Sequence, residues 1–142
     1  MPTTDDDRDH RVLGEQECLR LLGTTGIGRL AYTRAALPEI RAVTYTLRDG
    51  AVVIPTRTGS ALARAVRGAV VAFEADSYDQ TARTGWSVTV VGPSRVVALG
   101  RPDDSGACLI AVRAALVRGW LTTLASRPVG TATPVADGSG RS

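Results

Sequence analysis

The sequence is poor in the residues that most metal sites and many catalytic sites require. Its 142 residues include one histidine, His10, and two cysteines, Cys18 and Cys108, which stand far apart and outside any CxxC pattern. This distribution provides neither a disulfide framework nor a zinc site. The one histidine lies in the polar leader, which excludes Ser-His-Asp and Cys-His catalysis within a single chain. We therefore expect two buried thiols and no bound metal.

Aromatic rings and clusters of positive charge are scarce as well. Phe, Trp and Tyr make up 4% of the chain, which leaves too few rings for a base-stacking platform. The net charge is +3, but the 17 basic residues are all arginines, and they are spread along the chain without forming a stripe. We therefore expect no nucleic-acid partner.

Long apolar runs are missing, and no segment approaches the roughly 18 apolar residues that a membrane helix needs. The first residues, MPTTDDDRDH, are acidic and polar, where a secretory signal would place a basic segment and then an apolar one. The composition, 44% hydrophobic and 22% charged, is that of a globular chain. We expect one cytoplasmic domain with no membrane contact.

What the sequence does contain is a series of short apolar, β-branched segments typical of strands. These segments are GIGRLAYT, EIRAVTYTL, AVVIPT, AVVAFEAD and WSVTVVGPSRVVAL. Arg48-Asp49-Gly50 predicts a hairpin turn, and Gly92-Pro93 predicts a bend in the last of these strands. Helical spacing predicts two short helices, over 14–23 and 59–68.

Three further segments complete the predicted organisation. Residues 107–124 fit a helix by propensity and a pair of strands by their branched side chains. Residues 1–11 are acidic, and residues 128–142 are rich in Gly, Pro, Ser and Thr, so we expect a disordered arm and a disordered tail. The folded domain is then predicted to span 12–127.

The passage from AVVIPT into the second predicted helix has the composition of a phosphate site. Arg57 would supply charge and paired donors, and Thr56, Thr58 and Ser60 would supply hydroxyl groups beside a helix start. The alternative is an ordinary helix cap formed by Thr58 or Ser60. The GxxxxGK and GxGxxG spacings are both absent, which excludes a P-loop and a dinucleotide fingerprint.

Two other features have both a structural and a functional interpretation. Trp86 begins a strand after a polar loop, where it could anchor the core or an interface, or form a wall against a flat heterocycle. Glu74 and Asp76 alternate with Phe73 and Ala75, which is the pattern of a half-buried strand. We interpret these carboxylates as the wet side of that strand and not as a catalytic pair.

Taken in order, these segments resemble the pyridoxamine 5'-phosphate oxidase-like family, the FMN-binding split barrels, in its short single-domain bacterial form. The matching segments are GRLAYT (28–33), AVTY (42–45), TRTGSAL (56–62), VAFEAD (71–76) and RTGWSVTVVG (83–92). The resemblance implies a mainly β (α+β) fold, a six-stranded Greek-key split β-barrel with short flanking helices. It also implies a homodimer with two cofactor sites at the interface, and strands in the ambiguous segment, where 112–120 matches the final strand pair.

The resemblance also implies where the cofactor would bind. The FMN phosphate falls on the strand-to-helix passage, at Thr56, Arg57, Ser60 and position 61. The isoalloxazine ring lies along the second strand, near Val43, Thr44 and Tyr45. Residues such as Trp86 and Ser87 approach from the partner chain.

One departure from the family pattern bears on the cofactor. Many relatives carry a lysine directly after the Gly-Ser pair, and here Ala61 takes that place. Arg41 is a candidate for the lost charge. Losing one charge-assisted hydrogen bond costs about 1.5–3 kcal/mol, which predicts weaker binding, another cofactor, or none.

These features favour an FMN-dependent oxidoreductase or flavin-binding protein that acts on a small-molecule substrate, with the flavin supplying the redox chemistry. No residue stands out as a general acid or base, so the catalytic residues are not assigned. A deazaflavin-dependent reductase using the same groove is a variant of this hypothesis. The alternative from another class is a non-catalytic binding or regulatory barrel that has lost or changed its cofactor.

Overall fold

The structure of the chain, a computed structural model, describes residues 10–99 and 106–123. This part of the chain forms an antiparallel split β-barrel with two short helices. The strands are β1 His10–Leu13, β2 Ile27–Arg34, β3 Leu37–Thr44, β4 Thr46–Arg48, β5 Ala51–Arg57, β6 Val70–Asp79, β7 Thr84–Ala98, β8 Ala107–Arg113 and β9 Leu116–Thr123. The helices are α1 Glu15–Leu22 and α2 Ala61–Val66.

Strand β7 organises the barrel because it pairs with three other strands. Along one edge it pairs with β6, and along the other it pairs first with β9 and then with β8. The change of partner falls at Gly92-Pro93, between Val91, which opposes Leu116 of β9, and Ser94, which opposes Val112 of β8. Gly92-Pro93 is therefore the place where β7 changes partner and the barrel splits, and the bend expected there stays a prediction.

The main path through the sheet runs β3-β2-β6-β7-β8-β5-β4, so β3 and β4 lie at its two ends. Strand β1 adds to β9 outside this path. The hairpin between β4 and β5 turns at Asp49 and Gly50, whose φ angles of 52° and 75° confirm the predicted tight turn.

The predicted count of six strands is wrong, because the described residues form nine. The predicted strand EIRAVTYTL is two strands, β3 and β4, since the backbone leaves the sheet at Tyr45. Strand β1 forms a further short strand by pairing with β9. The ambiguous segment forms β8 and β9, as the resemblance implied, because each half finds a strand partner in β5, β7 or β1.

The core is built from one face of these strands and the inner sides of both helices. Its largest fully buried side chains include Phe73, Leu22, Leu30 and Ile54. Both predicted helices are confirmed with slightly shorter bounds; α1 buries Cys18 and Leu22, and α2 buries Leu62, Ala63 and Val66. Of the predicted arm, His10 and Arg11 belong to β1; residues 1–9 and the predicted tail, 128–142, lie outside the described residues.

Candidate functional site

A cavity of about 330 Å³ lies between β3, the end of β5 and the first turn of α2, and we call it the β3–α2 cavity. This volume is at the lower end of the range for small-molecule sites. The lining residues are Arg41, Ala42, Val43, Thr44, Pro55, Thr56, Arg57, Ser60 and Leu62. The structure therefore brings together six of the ten residues predicted from the sequence: Arg41, Val43, Thr44, Thr56, Arg57 and Ser60.

The hydroxyl groups at the rim of this cavity are held in place by local structure. Strand β5 ends at Arg57, Gly59 turns the chain with a φ of 75°, and Ser60 caps α2 by accepting a 3.0 Å hydrogen bond from the backbone N–H of Ala63. The Oγ1 atom of Thr56 lies 3.1 Å from Oγ of Ser60. The cap predicted at Ser60 is thus confirmed, and its side chain lines the cavity at the same time.

The charge of the cavity is positive and unbalanced. Arg41 and Arg57 both line it, and no carboxylate does. Within the described part of the chain, neither arginine forms an ion pair or a side-chain hydrogen bond, whereas Arg34 pairs with Glu39 at 3.6 Å. Two unpaired guanidinium groups beside fixed hydroxyl groups are a donor set that suits a phosphate or carboxylate.

The remaining wall of the cavity is apolar and borders an open strand. Val43, Pro55 and Leu62 supply hydrocarbon surface. Strand β3 is the terminal strand of the sheet, and most of its residues are exposed. A flat heterocycle could lie along this edge while an attached phosphate reached the two arginines. Pro55 and Leu62 were missed by sequence reasoning, although a proline at an exposed strand position indicates a place where the backbone does not donate into a ladder.

Tyr45 and Thr58 lie next to this cavity without lining it. Tyr45 is buried, donates a 2.6 Å hydrogen bond from its hydroxyl to the carbonyl oxygen of Leu22, and meets the ring of Phe73 edge-on at 4.6 Å between centroids. Burial raises the pKa of Tyr45 to about 12. Its side chain therefore anchors the end of β3 to α1. Thr58 is exposed, and its N–H donates to the carbonyl oxygen of Gly106 at 2.8 Å.

Trp86 and Ser87 lie on β7, and the structure does not bring them to the β3–α2 cavity of the same chain. Trp86 is half-buried and packs against the core. Ser87 faces the other side of the sheet, where its strand partners are Asp76 on β6 and Trp120 on β9.

The outer face of the sheet also carries an ion cluster. Its members come from two segments, GRLAYT and VAFEAD, that are far apart in the sequence. The Nη1 atom of Arg29 lies 3.1 Å from a carboxylate oxygen of Glu74 and 3.3 Å from one of Asp76. Burial, followed by the hydrogen bond and negative charge of Asp76, raises the pKa of Glu74 to about 7 despite Arg29. Arg29 lies opposite Glu74 because of the register between β2 and β6, and the spacing of these residues in the sequence does not predict that register.

A second cleft, of about 320 Å³, adjoins the first turn of α2 on another side, and we call it the Ala61 cleft. Its lining residues are Thr33, Arg34, Ala35, Ala61, Arg64 and Ala65. Position 61 therefore faces this cleft and not the β3–α2 cavity. Arg34 and Arg64 give the cleft positive charge, although Arg34 pairs with Glu39 and Arg64 donates to the carbonyl oxygen of Gly59.

Both cysteines of the chain lie within residues 10–99 and 106–123. Cys18 and Cys108 are free and buried, and within these ranges no group of three or more His, Cys, Asp or Glu side chains could hold a metal ion. Neither described helix has the length and apolar character that a membrane span requires.

Comparisons with known proteins agree with this fold. An uncharacterized protein of Mycobacterium tuberculosis, Rv0080, is 47% identical over 85 residues, a match that spans 56% of each chain. A FAD-binding protein of Mycobacterium smegmatis has a similar structure, with a TM-score of 0.67, 27% identity, and coverage of 79% of this chain and 97% of its own. A FAD-binding protein of Mesorhizobium loti shares the fold at 19% identity, with a TM-score of 0.65 over 80% of this chain and 98% of its own.

The family comparison covers most of the chain. The model of the pyridoxamine 5'-phosphate oxidase family matches residues 14–136, a range that includes both helices, β2 to β9 and all the residues that line the β3–α2 cavity. The chain belongs to the pyridoxamine 5'-phosphate oxidase family.

Proposed function

We propose that this chain binds FMN in the β3–α2 cavity and acts as a flavin-dependent oxidoreductase on a small-molecule substrate. The observation that carries the proposal is the pair of unpaired guanidinium groups, Arg41 and Arg57, facing a cavity edged by hydroxyl groups and lined by no carboxylate. Two FAD-binding proteins among the structural neighbours support a flavin in general. Family membership alone does not specify oxidation of a pyridoxamine phosphate.

Different residues of the cavity would bind the phosphate and the ring of FMN. Arg41 and Arg57 would bind the phosphate, with Thr56 and Ser60 completing its hydrogen bonds. Val43 and Thr44 would border the ring along β3. When bound there, the flavin supplies hydride and electron transfer, so the protein needs to provide orientation and exclusion of water more than a general acid or base. This suits a cavity whose ionisable lining residues are both arginines.

The alanine at position 61 is compatible with this proposal, because position 61 faces the Ala61 cleft and the β3–α2 cavity has two cations of its own. Arg41 lies on β3, across the cavity from Arg57 on β5, so two strands contribute one cation each. A phosphate between them would be held from both sides, and each guanidinium can donate two hydrogen bonds. Affinity for FMN is then expected to depend on both arginines.

We also propose that two copies of the chain associate, with the cofactor site completed across the interface. The outer face of the sheet supports this proposal, because the strand register places five well-exposed apolar side chains on it: Val12, Ile27, Ile40, Val70 and Leu116. Ser87 lies on the same face. A partner copy would bury this face and could bring its own Ser87 near the exposed edge of β3, whereas its Trp86 points to the other face, toward the core.

FAD is the second candidate, and the Ala61 cleft is the observation that favours it. The cleft adjoins the β3–α2 cavity through consecutive residues of α2, since Ser60 and Leu62 line the cavity and Ala61 lines the cleft. FAD carries one more phosphate and an adenosine than FMN, and Arg34 and Arg64 lie where that phosphate could be received.

Titrations that follow quenching of flavin fluorescence test these proposals on matched variants. We expect Arg57→Gln to weaken FMN binding by about tenfold or more and to leave riboflavin, which lacks the phosphate, unchanged. Arg48→Gln, an exposed arginine outside the cavity, is the control and should bind as wild type does. Arg34→Gln should weaken binding of FAD but not of FMN if FAD is the resident cofactor.

Three results would change the assignment. Equal affinities of wild type and Arg57→Gln would remove the phosphate from this cavity. Binding of a deazaflavin in place of FMN would keep the cavity and change the cofactor. Binding of none of these molecules would favour the barrel as a non-catalytic binding or regulatory protein.

A further inference from the structure

Another charged cavity lies away from the proposed cofactor site, between the β4–β5 hairpin, β7 and β8, and we call it the β7–β8 cavity. Its volume is about 370 Å³. Its lining residues are Asp49, Gly50, Ala51, Pro93, Ser94, Arg95, Ala111 and Arg113. It shares no residue with the β3–α2 cavity or the Ala61 cleft, so a ligand bound here would occupy a different place from the proposed flavin.

The register of β7 and β8 places two arginines side by side at this cavity. Arg95 lies opposite Ala111, and Arg113 follows two residues later on the same face of β8. The intervening Val112 and its partner Ser94 point to the interior and are buried. Diagonal neighbours of this kind are roughly 7–8 Å apart at their Cα atoms, within reach of two long side chains.

These two positive charges have no partner among the described residues. Neither Arg95 nor Arg113 forms an ion pair or a side-chain hydrogen bond there, and neither does Asp49 on the opposite rim with any arginine. Like charges on neighbouring strands repel each other. An anion between the two guanidinium groups would turn that repulsion into attraction.

Small residues leave room for the β7–β8 cavity, and backbone contacts fix the strands around this cavity. Ala51 and Ala111 lie between the charged groups, and the N–H of Ala114 donates to the carbonyl oxygen of Gly50 at 3.1 Å, which ties the hairpin to the end of β8. At Gly92 the carbonyl oxygen of Arg113 lies where a Cβ atom would be, so the backbones of β7 and β8 approach each other closely here. The backbone positions of Arg95 and Arg113 are therefore preorganised in the absence of a ligand.

We propose that the β7–β8 cavity binds a small dianion, a dicarboxylate or a phosphate ester, through Arg95 and Arg113. Planar guanidinium groups match carboxylate and phosphate oxygens with paired hydrogen bonds. Asp49 at the rim disfavours ligands with larger negative charge. The site is separate from the redox site, so its ligand acts as a second ligand of the protein.

The test is a titration of the full chain with succinate and, separately, with inorganic phosphate, monitored at the arginine Nε–H resonances in ¹⁵N-correlated spectra. We expect saturable shifts of the Arg95 and Arg113 resonances, with a Kd of about 1 mM, the affinity of a few charge-assisted hydrogen bonds. Variants Arg95→Gln and Arg113→Gln assign the resonances and should each weaken binding by about tenfold. Arg67→Gln, an exposed arginine that lines none of these cavities, is the matched control and should leave the shifts unchanged.

The two probes distinguish the ligand types, because a dicarboxylate site favours succinate and a phosphate-ester site favours phosphate. Shifts that rise linearly with concentration and affect exposed arginines alike would overturn the proposal, as would saturable binding that survives in both Arg95→Gln and Arg113→Gln. Phosphate that saturates Arg41 and Arg57 alone would place the anion in the β3–α2 cavity and also overturn it. Loss of flavin binding in another experiment would leave this result untouched.

Discussion

The side chain of Tyr45 fixes the end of β3, the strand that forms one edge of the β3–α2 cavity. Tyr45 ends the strand that carries Arg41 and Val43, and its hydroxyl reaches the last turn of α1 at Leu22. Its ring packs on Phe73, which is fully buried in the core. Tyr45 therefore links the end of β3 both to α1 and to the core.

Replacing Tyr45 by phenylalanine should destabilise the fold without opening a large void. The substitution leaves the buried carbonyl oxygen of Leu22 without its partner, and such a loss costs about 1–3 kcal/mol in the free energy of unfolding. Urea denaturation measures the change. The control is Tyr78→Phe, at an exposed tyrosine with no recorded hydroxyl partner in the described chain, where we expect a change within about 0.5 kcal/mol. Equal effects would show that the Tyr45 hydroxyl has no structural part.

Glu74 should make stability fall as pH rises. Burial and the neighbouring Asp76 raise the pKa of Glu74 to about 7 in the folded protein, so the folded state holds this proton more tightly than the unfolded chain, where the pKa is near 4.5. The contribution is therefore fully present below about pH 4.5 and is lost as pH rises through about 7.

The Glu74→Gln variant isolates this effect because it keeps the shape and removes the titration. Urea denaturation at about pH 5 and about pH 7.5 should show a smaller loss of stability for Glu74→Gln than for wild type. The same loss in both proteins would mean that folding does not raise the pKa of Glu74, and it would contradict the prediction.

At the scale of elements, β7 matters most because it belongs to both halves of the split barrel. Its first part pairs with β9 and its last part with β8, and the transition needs a residue without a side chain. Gly92 fills that place, since the carbonyl oxygen of Arg113 occupies the position of a Cβ atom. The backbone contact at Gly92 is therefore a condition for closing the barrel.

Gly92→Ala should destabilise the protein by about 1–3 kcal/mol or more, because the clash is with backbone and no flexible side chain can move aside. Thermal denaturation measures the effect. Gly26→Ala is the matched control, since its Cβ would meet its nearest neighbour at 4.0 Å, and we expect a change within about 0.5 kcal/mol. A Gly92→Ala variant as stable as Gly26→Ala would contradict the close approach of β7 and β8.

The elements were predictable from sequence where one local pattern dominated. Both helices and the Asp49-Gly50 turn follow from residues close together in the chain. The break at Tyr45 was not predictable, because VTYTL is a continuous β-branched and aromatic run and the tyrosine turns inward to satisfy a distant carbonyl. The secondary structure of residues 107–124 was not predictable from local sequence either, because it depends on pairing with strands distant in the chain.

The site was predictable to the extent that it lies in one motif. Thr56, Arg57 and Ser60 lie within five residues, so their proximity follows from the strand-to-helix passage. Arg41 joins them from another strand, and only the fold shows that it lines the same cavity. Ala61 was interpreted as a gap in the phosphate site, whereas the structure turns it toward the adjoining cleft.

At the scale of the whole molecule, the outer face of the sheet carries an exposed apolar patch. Five well-exposed apolar side chains surround the cluster of Arg29, Glu74 and Asp76 on one face. Apolar patches of this kind are typical of protein interfaces. The molecule therefore presents a face suited to a second copy and an edge strand, β3, beside it.

We predict that the chain is a dimer in solution and that Ile40→Glu weakens it. Ile40 is 75% exposed in the single chain, so the substitution should not disturb the fold, but it would place a charge in the proposed interface. Sedimentation velocity over a range of concentrations measures the mass. Leu37→Glu, at an exposed residue on the opposite face of the same strand, is the control and should remain dimeric. A monomeric wild type, or equal dissociation of both variants, would argue against this face as the interface.

The central claim is that the β3–α2 cavity holds the phosphate of a flavin nucleotide, and the direct measurement is a fluorescence titration of the purified, dialysed protein with FMN and with riboflavin. The account predicts that FMN binds more tightly than riboflavin by at least about a hundredfold, because two arginines each add a charge-assisted interaction of about 1.5–3 kcal/mol. Equal affinities for the two molecules, or no binding of either, would contradict it.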